Sequence, residues 1–321
     1  LYTGQLIGEH LFEKAKNLKV KWVLGYSDIT RDIPDFRRLR YNRVPSANNE
    51  NPYIAFLTTN ASPNDAGRFY SNLDESVYSG SVDFSLPLDI KGKKSTLKFG
   101  YYYQSRVRDF NVRVLGNVIN STTYFNPDLL RLGIGDIFNP TNFMDSTGFS
   151  IAESTNKSDS YDASSSLNSG YAMLDMKLTV RLRAIFGVRV EAFSQNVYAE
   201  SNSNVPTDIT RSNVDVLPSL NLAYELSQKS NLRFAASQTL SRPEFRELAP
   251  FSFFDFNNFV EIVGNSELQR AKITNLDLRY ELFPGNGQLI SGSVFFKHFK
   301  NPIEQTLNSD IGGGTLSTTY R

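Results

Sequence analysis

The stretch Val214–Glu225 reads VDVLPSLNLAYE, and apolar side chains occupy every even position in it. The polar residues Asp215, Ser219, Asn221 and Glu225 all fall on odd positions. A β-strand turns successive side chains to opposite faces, so this stretch predicts a strand with one apolar face and one hydrated face. The same alternation recurs in four further segments: Leu18–Tyr26, Tyr78–Leu88, Leu97–Gln104 and Leu276–Leu282.

The connections between these segments alternate between short and long. The short ones are Phe12–Asn17, Asp89–Lys94, Thr179–Arg181, Ser227–Ser230 and Pro284–Gly287. The long ones are Asp28–Asp74, Ser105–Ser165, Asn196–Asn213 and Ser241–Arg270. The strands of a soluble β-sandwich would also alternate apolar and polar side chains. They usually have about 5–6 residues, however, whereas the segments here predict strands of about 10–15 residues. Tight turns at one end and long loops at the other favour an all-β, transmembrane antiparallel up-and-down β-barrel.

Composition agrees with this prediction. The 321 residues are 40% hydrophobic, and the mean hydropathy is −0.34. No stretch approaches the roughly 18 consecutive apolar residues of a transmembrane helix, but barrel strands expose only alternate side chains to lipid. The 24 Phe and 16 Tyr can supply the aromatic girdles of a barrel. A net charge of +1 provides no field that would attract nucleic acid.

The sequence contains no constellation typical of catalysis. It has no cysteine, which excludes thiolate catalysis and Cys-ligated zinc. His10 and His298 stand outside metal-binding spacings and lie in strand-like segments. Asp159 and Asp162 lie among serines and could hold calcium, although their spacing is not that of an EF-hand. We therefore expect no enzyme activity, no catalytic residue, no metal and no cofactor.

Several motifs, in order, resemble the barrel of TonB-dependent outer-membrane receptors, most closely the Bacteroidetes-type group. The most specific is Ser241–Pro250, which reads SRPEFRELAP. The others are Ser158–Ala163 (SDSYDA), Gly187–Glu191 (GVRVE), Leu217–Leu222 (LPSLNL), Gly264–Leu268 (GNSEL), Thr274–Glu281 (TNLDLRYE) and Lys300–Glu304 (KNPIE).

The resemblance implies a 22-stranded β-barrel around an N-terminal plug. It also implies a ligand captured by extracellular loops and imported with energy delivered to a periplasmic TonB box. Residues 1–321 contain about ten to twelve predicted strands and neither plug nor TonB box. We therefore expect a partial TonB-dependent receptor barrel domain over residues 1–321, with the plug and the TonB-contacting segment missing from this chain. A partial barrel has two edges of unpaired backbone groups.

The expected location is the outer membrane of a Gram-negative bacterium. The expected partners are outer-membrane lipid, TonB through the missing segment, and a transported ligand, with no nucleic acid. That ligand could be chelated iron, an oligosaccharide or a peptide, since variable loops serve all three on one scaffold. An alternative from another class is a soluble or surface-exposed β-rich adhesin or glycan-binding module, which would share the aromatic loops.

The predicted ligand-binding residues lie in the last long connection. Five phenylalanines offer flat apolar area for stacking, with Arg246 and Glu261 as polar groups beside them. They are Phe251, Phe253, Phe254, Phe256 and Phe259. Alternatively, these rings pack on one another and close the barrel mouth. For the charged residues Arg242, Glu244, Arg246 and Glu247, we favour pairing that holds the base of the loop over contact with ligand.

Overall fold

The computed structural model describes residues 1–45, 50–144, 146–200, 206–250, 252–255, 260–285, 287–308 and 316–321. Strands dominate the chain. They are β1 (Tyr2–Phe12), β2 (Leu18–Arg37), β3 (Tyr41–Asn42), β4 (Ile54–Ala55), β5 (Gly67–Ile90), β6 (Lys93–Ile119), β7 (Phe149–Glu153), β8 (Tyr161–Lys177), β9 (Leu182–Glu200), β10 (Pro206–Ser227), β11 (Ser230–Ser241), β12 (Ser252–Asp255), β13 (Val260–Val263), β14 (Ala271–Leu282), β15 (Ile290–Lys300), β16 (Gln305–Asn308) and β17 (Leu316–Tyr320). The helices are α1 (Pro63–Ala66), α2 (Phe245–Leu248) and the 3-10 turns Glu13–Ala15, Pro127–Arg131, Pro140–Asn142 and Lys157–Asp159.

Ten strands form a single antiparallel meander, which confirms the predicted fold class. Their order is β1-β2-β5-β6-β8-β9-β10-β11-β14-β15, and β7 pairs with the upper part of β6. Within the described residues, β1 and β15 each pair on one side only. We refer to this sheet as the wall.

All five short connections lie at one end of the wall, as predicted. At the other end the strands are longer than predicted, and the connection expected at Asn196–Asn213 shrinks to residues 201–205, which lie outside the described part of the chain. Strand β6 has 27 residues, a length of about 90 Å, whereas roughly 10 residues cross an apolar band. The upper part of β6 also alternates, but with the faces exchanged: Val112 and Val114 are buried, whereas Asn111 and Arg113 are exposed.

The two faces of the wall differ in chemistry. Leu97 and Phe99 lie opposite Leu86 and Phe84 of the neighbouring strand, and the two Phe rings stack at 4.9 Å between centroids. Lys98 lies on the other face. We call the apolar side the outer face and the Lys98 side the inner face.

Tyrosines end the apolar part of the outer face. The rings of Tyr2, Tyr26 and Tyr78 form a row across three strands, with centroids 6.4 and 4.9 Å apart. Asp28 and Asp74 follow on the same face, further toward the long connections. This order, apolar then aromatic then acidic, is that of a lipid-facing band that meets its interface. Within the described residues, no helix is long and apolar enough to cross a membrane.

The long connections fold into two compact bodies. One joins the described parts of residues 38–66 and 120–149, around a core that includes Phe149 and Ile137, both almost fully buried. The other lies against the inner face and contains α2 and a small sheet of order β12-β13-β17-β16. We call the described part of residues 242–270 the inner segment.

Exchanging charge between the two faces should reveal which one meets lipid. We expect Leu97→Lys and Leu220→Lys to damage assembly, because a cation on the lipid face costs about 2–4 kcal/mol at the bilayer midplane. Lys98→Leu and Asn221→Leu should do much less, since both positions face inward. The measurement is the amount of heat-modifiable, folded protein in outer-membrane fractions. Equal losses in the two pairs would contradict the assignment of faces.

Candidate functional site

The inner segment begins at Arg242, directly after β11, and Pro243 is its second residue. Proline has no amide hydrogen to donate to a sheet, so it ends the strand pairing there. The backbone N–H of Glu244 donates to Glu247 Oε2 at 2.9 Å, and this capping box starts the single turn of α2. Phe245 and Leu248 then point toward the wall and are completely buried.

The buried Phe245 ring is held by two arginines of the wall. The guanidinium groups of Arg106 and Arg108 lie 4.9 and 5.1 Å from the ring centroid, within the range of cation–π contact. Both arginines pair with Glu75, at 3.2 and 2.5 Å. Arg106 also reaches Glu244 at 3.3 Å, so one cluster links the wall to the start of the turn.

A second cluster holds Arg242 and Pro243, at the beginning of the Ser241–Pro250 motif. Arg242 Nη2 donates to Glu191 Oε2 at 2.6 Å, and Arg189 Nε donates to Glu191 Oε1 at the same distance. Gln195 Nε2 donates to the carbonyl of Pro243 at 3.1 Å. The predicted pairing of the motif's charges at the base of the loop is therefore present for Arg242 and Glu244.

A third cluster surrounds Asp215, which is completely buried on the inner face. Its carboxylate lies 2.7 Å from Arg270 Nε and 2.8 Å from Lys272 Nζ. Arg270 also donates to the amide oxygen of Asn213. Sequence reasoning placed Asp215 on the hydrated face but missed these partners, because no local pattern connects residues more than fifty positions apart.

A cavity of about 440 Å³ separates the inner segment from the wall strands β9 and β10. Its lining on the wall side includes Gln195 and Arg211. The inner segment contributes Arg242, Gln269 and Arg270. Guanidinium and amide groups thus converge on one space from two layers of the structure, an arrangement suited to a polar or anionic ligand.

The structure describes the predicted aromatic site in part. Phe251, Phe256 and Phe259 lie outside the described residues. Phe253 and Phe254 belong to β12, where their backbones lie opposite Ile262 and Glu261 of β13. Glu261 is half-buried and accepts a hydrogen bond from the hydroxyl of Ser252, while Arg246 is exposed on α2. The stacking role of these rings stays a prediction.

The two histidines lie in strands, as predicted. His10 Nε2 accepts a hydrogen bond from the indole N–H of Trp22 at 3.1 Å, on the outer face near the short turns. His298 lies in β15. Neither belongs to a group that could hold a metal, and no such group of three or more ligating residues occurs in the described part of the chain.

The calcium alternative fails on the placement of its two carboxylates. Asp159 is buried and accepts from the backbone N–H of Asn156 at 2.8 Å, which closes a 3-10 turn. Burial raises the pKa of Asp159, and the hydrogen bonds from Asn156 offset this only in part. Asp162 lies on the exposed outer face of β8, opposite Asp109. The two carboxylates therefore do not face a common site that could hold a calcium ion.

Comparisons with known proteins agree on one architecture. A family model described as the outer membrane protein beta-barrel family matches residues 38–321. No match was found among curated protein sequences.

Solved structures align with nearly the whole chain. The ferric-catecholate import receptor Fiu from E. coli K12 matches with a TM-score of 0.56 and 13% identity, over 99% of this chain and 42% of Fiu. The ferric citrate transporter FecA matches with a TM-score of 0.57 and 10% identity, over 98% of this chain and 37% of FecA. The copper transporter OprC matches with a TM-score of 0.57 and 12% identity, over 99% of this chain and 41% of OprC. At these identities the likeness shows the fold, and the chain spans less than half the length of each of these proteins.

Proposed function

Because the chain belongs to the outer membrane protein beta-barrel family, we propose that residues 1–321 form part of the barrel of an outer-membrane receptor and transporter. One observation carries the proposal: the wall has an apolar outer face, and long connections from one end fold onto its charged inner face. A soluble adhesin or glycan-binding module has no need of an apolar band bordered by tyrosines. The proposal includes no catalytic step.

In this proposal the ligand is captured at the end of the wall that carries the long connections. It then passes along the inner face, where arginines and carboxylates keep the surface hydrated. Energy for import comes from TonB through a segment outside this chain, and lipid surrounds the outer face. Chelated iron, oligosaccharides and peptides remain the candidate ligands. Chelated metal is the first class to test, because Fiu is a ferric-catecholate import receptor, FecA a ferric citrate transporter and OprC a copper transporter.

Energy coupling separates a transporter from a receptor that only binds. Cells that express the full-length protein would be given radiolabelled ferric chelates, with labelled oligosaccharides and peptides as further panels. With a protonophore added, we expect surface binding to persist while accumulation stops, since the energy comes from the inner membrane. Accumulation that continues at the same rate would contradict TonB-coupled import. A protein that leaves the membrane fraction without detergent would contradict the barrel and favour the soluble module.

The aromatic segment gives a test of where ligand binds. We expect the double substitution Phe253→Ala and Phe254→Ala in the full-length receptor to weaken ligand binding about tenfold or more, since stacking on two rings is lost. Folded protein, measured by heat-modifiable migration, should be unchanged. Tyr124→Ala, on a different long connection, is the matched control and should leave affinity unchanged. If folded receptor is lost while the affinity of the remainder stays the same, the rings are packing residues.

A further inference from the structure

We infer that the cavity between β9, β10 and the inner segment binds an oxyanion, the carboxylate or phosphate group of a small molecule. Its volume of about 440 Å³ falls within the range of roughly 300–1,000 Å³ that small-molecule sites occupy. The inference rests on the proposed transport function only for the source of this molecule, because the cavity can be tested by binding alone.

Arg211 is the central observation. It is half-buried in the cavity wall, and its hydrogen-bond acceptors are the backbone carbonyls of Ser266 and Thr210. Within the described residues, no carboxylate lies within ion-pair distance of its guanidinium group. An arginine offers five donors in a planar fork that matches carboxylate and phosphate oxygens. A partly buried guanidinium without a counter-charge therefore favours an anion beside it.

Positive charge exceeds negative charge around the same space. Arg242 shares Glu191 with Arg189, and Arg270 shares Asp215 with Lys272. Each of these carboxylates thus balances two cations. Glu267, a further acidic residue of the lining, is exposed. Local potential in the cavity is positive, and an arriving anion is attracted to it.

Hydrogen-bond donors complete the site. The Nε atoms of Arg211 and Arg242 are buried and lack a hydrogen-bond partner in the described structure. The Arg242 guanidinium lies 4.5 Å from the Phe193 ring centroid, and this contact fixes its orientation. Gln269 is exposed at the edge of the lining and can present its amide to a ligand. The site is therefore preorganised on one side and adaptable on the other.

The test is calorimetric titration of the full-length protein, folded in detergent at low ionic strength, with inorganic phosphate, with succinate and with glucose. We expect saturable binding of at least one anion and none of glucose, and the two anions distinguish phosphate from carboxylate chemistry. Arg211→Gln should raise Kd about tenfold, because hydrogen bonds to a charged partner are lost. Gln269→Glu adds a negative charge at an exposed position and should also weaken binding about tenfold.

Lys98→Gln is the matched control, since it removes one positive charge from the inner face at the opposite end of the wall. It should change Kd less than about twofold, because exposed charges at that distance are screened. No saturable binding of either anion by the unmodified protein would overturn the inference, as would an equal loss in Lys98→Gln. If Arg211→Gln does not fold, as judged by heat-modifiable migration, Gln269→Glu decides. If the protein binds the anion but shows no energy-dependent uptake, the result would contradict the proposed transport function and still support the anion site.

Discussion

Replacing Phe245 by alanine is expected to lower the free energy of unfolding by about 3–5 kcal/mol. The ring is 1% exposed and fills the space between the wall and the inner segment. Its removal leaves a cavity and also removes the surface against which Arg106 and Arg108 lie. The measurement is the urea midpoint of the full-length protein, folded in detergent, followed by tryptophan fluorescence and by heat-modifiable migration.

Tyr124→Ala serves as the control for this change. Tyr124 is 69% exposed, so the loss of its ring should alter stability by no more than about 0.5 kcal/mol. Phe245→Leu retains an apolar side chain and should cost clearly less than Phe245→Ala. Equal urea midpoints for Phe245→Ala and Tyr124→Ala would show that the inner segment does not hold the wall.

Replacing Asp215 by alanine is expected to cost about 3 kcal/mol, because a buried charge pair is broken and the remaining cations lose their counter-charge. Arg270 is held mostly away from solvent, whereas Lys272 is 44% exposed and can turn toward water, so we place the effect at the lower end of the range for buried pairs. The urea midpoint again reports the change. Arg270→Met combined with Asp215→Ala should recover part of the loss, since the second change removes the unpaired cation.

Asp208→Ala provides the comparison on the same strand. Asp208 lies in β10 but is exposed, and its partners Asn196 and Thr210 can bond to water instead. Its removal should change stability by about 0.5 kcal/mol or less. A loss for Asp208→Ala as large as that for Asp215→Ala would mean that general charge balance, and not the buried cluster, sets the effect.

The sequence predicted the lower wall well because alternation there has one physical cause. The face toward lipid requires apolar side chains, and the other face does not. Leu97 and Lys98, adjacent in sequence, lie on these two faces. Above the row of tyrosines the outer face meets water, whereas the inner face packs on the inner segment. In β6 the apolar positions therefore change face: Val112 and Val114 lie inward, and Asn111 and Arg113 lie outward. A search for one continuous apolar face stops at this exchange, which is why the sequence alone places the upper part of the strand in a connection.

The candidate site was predictable only in its local parts. Pro243 indicates the end of a strand, and the spacing of Glu244 and Glu247 indicates a capped turn. The structure has both. The cavity depends on Arg211 meeting the inner segment at Ser266, a contact between positions 55 apart. Such contacts are set by how the connection folds back on the wall, and a single sequence holds no periodic signal for that.

The parallel pairing of β13 with β17 bears on the order in which the molecule folds. Five pairs of neighbouring wall strands close through turns of a few residues, whereas Asn265 donates to the carbonyl of Tyr320 across 55 positions. Closing a long loop costs more chain entropy than closing a hairpin, so non-local pairs form late. We expect the wall hairpins to appear first, and the inner sheet to consolidate only after the intervening hairpin β14–β15 has formed. Until then, Ile262 and Leu268 lack the neighbours that bury them. Their apolar side chains are therefore open to binding by a chaperone during this late step of folding.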